Sequence, residues 1–350
     1  MVKFITKRLL YGFLVLFGAV IVVFFLFNVL PGDPVNLMVG TRADVNDRET
    51  ITKELGLDRP LYVQLGLYLN DLSPLSIHED TERTASKYEY KKLFAVGENA
   101  IVVKYPYLRR SFQSNKKVSE IIMENLEGTF WLAFSAMLFA TFFGILFGLL
   151  ASLRQNSFLD HSMITLSTIG VSAPPFVIAA IVSMVFGYYL GHITGLNISG
   201  QLWDYDLYGR NLVLKNLILP AFALGLRPLS IIVQLTRSSM LEVLSQDYIR
   251  TARAKGLGYY KIVVKHALKN ALNPVITAVS GWLASLMAGA FFIEVIFDWK
   301  GLGLVTIQAV EMLDFPVVMG STLFIALVFI VVNMFVDILY AAIDPRVRLD

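Results

Sequence analysis

Uncharged apolar runs alternate with polar stretches along this 350-residue chain. The first run, 9–30, follows Lys3, Lys7 and Arg8 and is long enough to cross a hydrocarbon core of about 30 Å. A secretory signal peptide would carry a shorter apolar core and a small-residue cleavage site. Pro31-Gly32-Asp33-Pro34 follows instead, so the run predicts an uncleaved first span. Five further runs follow at 129–153, 163–190, 217–235, 274–293 and 317–336, the last continuing to residue 343 through Asp337. The pattern predicts an all-α polytopic membrane protein with six transmembrane helices and both termini on one side.

Two polar stretches are long enough to have structure of their own. The first, 31–117, holds 13 Lys plus Arg and 12 Asp plus Glu. A region of that length can be translocated whatever its charge. Ile101-Val102-Val103 favours strand, so the expectation is an external subdomain enlarged by an insertion at about 70–105; a mere spacer is the alternative. The second stretch, 246–276, is the most basic short segment of the chain. Leu244, Tyr248 and Ala252 recur at helical spacing. Gly256-Leu257-Gly258 breaks that helix, a second basic helical stretch follows, and Pro274 is expected to open the next span.

Charge orients these pieces. The segments that six spans put on one side hold thirteen Lys and Arg: Lys3, Lys7, Arg8, Arg154, Arg237, Arg250, Arg253, Lys255, Lys261, Lys265, Lys269, Arg346 and Arg348. The short segments opposite hold three: Arg210, Lys215 and Lys300. Basic residues stay in the cytoplasm, so both termini and the 241–272 loop are expected inside and 31–117 outside. A hydrophobic fraction of 56% agrees with a membrane subunit, and the net charge of +3 adds little. With no cysteine, packing alone must hold the external part together. Tyr188, Tyr189 and Trp203 read as interfacial anchors.

Enzyme signatures are absent from the sequence. There is no H-E-x-x-H, no G-x-S-x-G and no G-x-x-x-x-G-K-[ST] phosphate loop. The four histidines are scattered, no cofactor or metal site is expected on this chain, and no nucleic-acid partner is implied. Arg227, inside the fourth run, reads either as a cavity residue that attracts a peptide carboxylate or as a cation that reaches water or pairs locally because Pro220 and Pro228 bend its helix. Pro174-Pro175 removes two backbone donors from the third run, so a kink or local unwinding is expected, lining a pore or merely packing. Asp337 reads as a cap or an interhelical partner. The basic loop could bind anionic lipid, but lipid binding does not explain a broken helix carrying Ala252, Ala254 and Gly256.

That loop carries a resemblance. Asp247-Tyr248, Arg250-Thr251-Ala252-Arg253-Ala254-Lys255-Gly256, then His266, Asn270, Ala271 and Pro274 resemble the cytoplasmic "EAA" loop of ABC importer permeases, in the branch that carries oligopeptides, dipeptides and nickel. Leu55-Gly56-Leu57-Asp58 with Pro60-Leu61, Leu108-Arg109-Arg110-Ser111-Phe112, Asn333 with Asp337 and Tyr340, and Asp344-Pro345-Arg346 are similar to the same branch. The likeness touches both ends of the chain and most of its core. Arg250-Thr251-Ala252 stands where the general motif has Glu-Ala-Ala, so a carboxylate contact at that first position does not carry over.

The resemblance implies a type I ABC importer permease fold in the cytoplasmic membrane of a prokaryote. It divides the chain into a first helix (1–30), an external region (31–117), a five-helix core (118–343) and a tail (344–350). It implies a heterodimer with a second homologous permease, two ATPase subunits that hold ATP and Mg, and a substrate-binding protein outside. Residues 247–256 would couple to the ATPases, while Arg227, Pro174 and Pro175 are candidates for the translocation path. Di- and oligopeptides, nickel chelates, glutathione and sugars all travel through this branch. An ion-coupled secondary transporter or a non-transporting scaffold are the alternatives of another class; internal repeats and charged midplane pairs, which would mark the former, are not seen.

Overall fold

The computed structural model describes residues 2–29, 52, 58–206, 209–288 and 290–343. The 55–57 and 344–346 motifs, the tail and the side chains of Asp337 and Tyr340 lie outside the described residues. The chain divides into two compact units: Leu9–Glu124 with Val305–Ala326, and Met1–Arg8 with Asn125–Leu304 and Leu327–Asp350.

In the first unit, helix α1 (Val2–Val29) packs Val20, Val23 and Phe24 against Tyr68 of α2 (Leu61–Leu72), with Met319 and Leu323 closing the cluster. Beyond α2 lie β1 (Leu75–Glu79), α3 (Glu82–Tyr88), β2 (Lys91–Val96) and β3 (Asn99–Val103), which form an antiparallel sheet in the order β1-β3-β2. Asp71 organises the base of the subdomain: its carboxylate accepts from Tyr88 Oη (2.9 Å) and Arg109 Nε (3.3 Å), and Lys104 Nζ donates to its carbonyl. The sheet is unusual in which side it covers. Ser76, His78, Ala100 and Val102 are buried, whereas Leu75, Ile77, Phe94 and Val103 are exposed. In β1 the strand period of two therefore displays Leu75 and Ile77 and hides Ser76 and His78.

His78 gives this subdomain a pH dependence. Its ring stacks on Tyr88 at 4.0 Å. Burial, then the Lys104 ammonium, hold its pKa below the ordinary imidazole value, against an opposing pull from Asp71. The unfolded chain thus binds the proton more readily, and stability is lost as pH falls below about 6.5. Hydrogen-exchange protection across 75–103 should drop between pH 7.5 and 5, and His78→Phe should abolish that drop. An equal drop in the variant would assign it to another group.

The second unit is helical, apart from a hairpin, β4 (Trp203–Asp206) with β5 (Gly209–Leu212). Helix α4 (Val118–Leu153) enters from the first unit, and α7 (Lys215–Leu244) lies at the centre. Of the most apolar stretch of α7, 67% is buried, against 39% for α4 and 17% for α1. Small residues allow the approach: a Cβ at Gly144 or Gly148 of α4 would lie 2.6 Å from Ile232 or Thr236 of α7. This is the small-x-x-x-small seam of membrane helix pairs.

The expected spans are recast in two places. The 163–190 run is locally unwound at Ala173-Pro174, one of the two outcomes expected there, and not merely kinked. It is α5 (Phe158–Ser172) and α6 (Pro175–Val182, continuing as a π-helical segment to Tyr189), set at 109°. Ala173 is extended and Pro174 caps α6, so the missing donors fall at the helix start, where they cost nothing. The 274–293 run is also divided. A short helix at Tyr259–Lys261 passes through the π-helical segment Ile262–Leu268 directly into α9 (Lys269–Ala288), leaving Pro274 inside a helix rather than opening one. Helix α10 (Phe291–Ile296) follows, then α11 (Leu302–Glu311) and α12 (Phe315–Ile343). Among the described residues four helices are long and apolar enough to cross a membrane, or five if the bent pair is one span.

Two polar clasps close the second unit. Trp203, expected as an interfacial anchor, donates its indole N–H to Glu127 (3.0 Å), while Arg210 lies 3.8 Å over its ring and pairs with the same carboxylate. Glu294 of α10 is fully buried. It accepts from Thr129 Oγ1 (2.7 Å) and from the Leu304 amide (3.0 Å); the Thr129 oxygen accepts in turn from the Leu302 amide (2.8 Å). Trp299, also fully buried, donates to the Gly128 carbonyl (2.9 Å). The Trp299–Leu304 segment is thereby stapled to α4.

Candidate functional site

The basic loop folds as the sequence pattern indicates, but it turns a different face inward. Helix α8 (Asp247–Ala254) follows α7 after Ser245 and Gln246, with Asp247 in its first turn and Arg253 in its last, a sense that suits the helix dipole. Ile249, with no exposed surface, and Ala252, 8% exposed, pack on Met240, Ile262, Val263, Ala267 and Ala271. Leu149 and Leu153 of α4 join this cluster. The inner face is therefore Ile249 with Ala252, not Leu244, Tyr248 and Ala252: Leu244 still belongs to α7, and Tyr248 is exposed. Local periodicity does not mark Ile249, because its partners lie as far off in sequence as Leu149.

The rest of the motif is displayed. Asp247, Tyr248, Arg250, Thr251, Arg253, Ala254, Lys255 and Gly256 are all exposed. The second half of the motif holds the first. Asn270 Nδ2 donates to Tyr248 Oη (2.9 Å) and to the His266 carbonyl (3.1 Å). Thr251 Oγ1 donates to the Asp247 carbonyl. Gly256 turns the chain with φ +76°, a conformation that a Cβ disfavours. The result is a short helix fixed from beneath, with a basic outer surface that continues into exposed Tyr259 and Tyr260.

A second arrangement runs through the apolar helices. On α1 and α4 the exposed side chains are those expected of lipid or helix contact, including Leu9, Leu10 and Phe13 on the former and Phe134, Leu138 and Phe142 on the latter. Beyond Ile218, the exposed side chains of α7 as far as Ser238 are Arg227, Gln234 and Ser238, and around Pro274 and beyond it those of α9 are Asn273, Thr277, Gly281 and Ser285. Spacings of four and seven put each set on one side of its helix. Polar and small groups thus face outward along these stretches, although α7 is the most buried of the four long apolar helices among the described residues. The two sides meet at a cavity of about 120 Å³, lined by Arg227, Ser285, Pro175, Trp282, Phe292 and Gly170 among others. Of the expected path residues, Arg227 and Pro175 line this cavity; Pro174 is exposed at the helix break but does not line it.

Asp160, unremarked in the sequence, is buried and binds Arg237 of α7 through two bonds of 2.6 and 2.7 Å. This fastens the start of α5 to the helix that leads into α8. In the sequence Arg237 counts only among the orienting charges. No signal short of the fold pairs residues 77 apart.

The family model described as "binding-protein-dependent transport system inner membrane component" matches residues 144–349, and that of its N-terminal part matches residues 1–133. The chain is 35% identical over 371 aligned positions to a dipeptide transport system permease protein of Alkalihalophilus pseudofirmus, covering 99% of this chain and 100% of that one. It is 37% identical to a di/tripeptide transport system permease protein of Pseudomonas aeruginosa, with 99% of each covered. A glutathione transport system permease protein of Escherichia coli K12 is 32% identical, again with 99% of each covered. Among solved structures, a chain of the MetNI methionine ABC transporter in an inward-facing conformation superposes with a TM-score of 0.52 at 17% identity, covering 65% of this chain and 97% of that one. This last likeness bears on the fold.

Proposed function

Since the chain belongs to the family of binding-protein-dependent transport system inner membrane components, and is thus a permease subunit of an ABC importer rather than an enzyme, we propose that it forms half of a translocation path for di- and oligopeptides. The observation that carries the path is the polar outer side of α7 and α9, in a unit whose other long helices expose apolar side chains. Hydroxyls and amides at that depth are costly in lipid and favourable beside water and a peptide backbone. The full-length peptide-transport relatives support the substrate class. Glutathione, carried by another relative, is itself a short peptide with free carboxylates.

The remaining parts follow. A second, homologous permease completes the path, and two ATPase subunits hold ATP and Mg. A substrate-binding protein delivers from outside. Residues 247–256 receive the ATPases on their exposed basic surface, and Arg227, Pro174 and Pro175 belong to the path. Six crossings, with α9 and the bent pair each counted once, put both termini in the cytoplasm. The sheet subdomain is an external insertion, and its displayed apolar face helps to receive the binding protein.

Cysteine labelling tests these placements in a chain without native cysteine. Phe94→Cys, on the exposed sheet face, should react with an impermeant reagent added to intact cells; Ser245→Cys should react only after the membrane is opened. Labelling of both from outside would refute six crossings. Loaded binding protein should shield Phe94→Cys in the assembled importer, and unaltered labelling would remove the docking role while leaving the topology standing.

A further inference from the structure

We infer that Arg227 reads a carboxylate of the cargo as it passes through the cavity. This rests on the peptide path proposed above and adds a chemical preference to it. Helix α7 has 30 residues, about 45 Å at 1.5 Å per residue. Arg227 is the thirteenth, about 18 Å from one end and 26 Å from the other. Wherever a hydrocarbon layer of about 30 Å falls along such a helix, Arg227 lies within it. The guanidinium cannot shed its proton, so at that depth it needs water or an anion.

The cavity supplies no anion. Its walls are Gly170, Pro175, Trp282, Ser285, Phe292 and other uncharged residues, with Arg227 the one charge among the described residues. Among the described residues Arg227 makes no ion pair, whereas Arg237, ten positions along the same helix, is fully paired. Arg227 is therefore a fork of donors left open, on aromatic walls that strengthen a charged hydrogen bond. Ser285 and the α9 hydroxyls offer neutral partners for peptide groups but no second charge. The group that fits the fork is a carboxylate, from the C-terminus of a peptide or from an acidic side chain.

The test uses the complete importer in proteoliposomes, with saturating binding protein whose affinity for each peptide is measured separately. Three cargoes are compared: trialanine, its C-terminal amide, and an amidated tripeptide with one glutamate. The wild type should take up trialanine faster than its amide. Arg227→Gln should bring that acid-to-amide ratio down about tenfold, towards one, and Arg227→Lys should hold part of it. If the glutamyl amide moves like the free acid, any carboxylate serves; if it moves like the plain amide, the C-terminus is what is read. A ratio unchanged in Arg227→Gln would overturn the inference and leave the peptide path intact. A complex that dissociates on this change would also overturn it, assigning Arg227 to a pair across subunits. A wild type that carries none of the three would sink the peptide path itself.

Discussion

Gly301→Val and Gly128→Val will each yield a subunit that fails to assemble a stable importer. A Cβ at Gly301 would sit 2.4 to 2.6 Å from the Glu294 carboxyl atoms, and one at Gly128 would sit 1.8 Å from the Lys300 carbonyl oxygen. Neither obstacle is the loose end of a flexible side chain. Glu294 is clamped by Thr129 and the Leu304 amide, and Lys300 is fixed by its buried neighbour Trp299. Overfilling a packed site typically costs about 1–3 kcal/mol. Here it also separates Glu294 from donors that no water reaches, adding about 1–3 kcal/mol for each buried group left unmade. Glu294→Ala should be nearly as harmful, whereas Glu294→Gln keeps one acceptor oxygen and should lose less. Yield and melting temperature of the purified complex measure this. A Gly301→Val complex that melts like the wild type would mean the staple contributes little.

The second large effect is expected at α8, where the structure separates two kinds of damage. Ala252 is part of the cluster beneath the helix. Ala252→Trp should therefore overpack this chain itself, by about 1–3 kcal/mol, and displace α8 from its seat. Ala254 is exposed on the opposite side. Ala254→Trp should leave the cluster intact and obstruct only what docks from outside. Gly256 is a third case: no atom lies within 4 Å of its added Cβ, so Gly256→Val acts through the backbone alone, at φ +76°. A left-handed conformation costs an ordinary residue about 1–2 kcal/mol. In reconstituted importers, Ala254→Trp should lower uptake about tenfold or more while the subunit keeps its melting temperature. Loss of melting temperature in Ala254→Trp would show that the outer face is not free.

Much of the molecule could be read from its text, and what could not has a common cause. Helices α1, α4 and α12 follow from long uncharged runs, and α7 from one interrupted only by Arg227, because a bilayer leaves a backbone few alternatives. The break at Pro174-Pro175 is legible in the missing donors. Its 109° is not, since the angle is set by what α5 and α6 pack against. Strand at 101–103 is signalled by β-branched residues, but β2 is not, and the outward set of Leu75, Ile77 and Phe94 depends on which face His78 and Ser76 take. Glu294 escaped notice because it sits one residue beyond an uncharged run, and its partner Thr129 lies 165 residues away. Likewise, the buried face of α8 is chosen by Ile262 and Ala267 across a glycine turn. Local periodicity locates a helix; it says little about which neighbour will claim each side.

Peptide uptake driven by ATP is the most direct measurement of the central claim. Proteoliposomes would hold this chain with its partner permease and ATPases, and loaded binding protein would be added outside. Uptake of a labelled tripeptide should require ATP and the binding protein, and the binding protein should stimulate hydrolysis. In Ala254→Trp importers both uptake and stimulation should disappear while basal hydrolysis by the ATPases remains. Uptake driven by an ion gradient with no ATPase present, or normal stimulation and uptake in Ala254→Trp, would contradict a permease coupled through this helix.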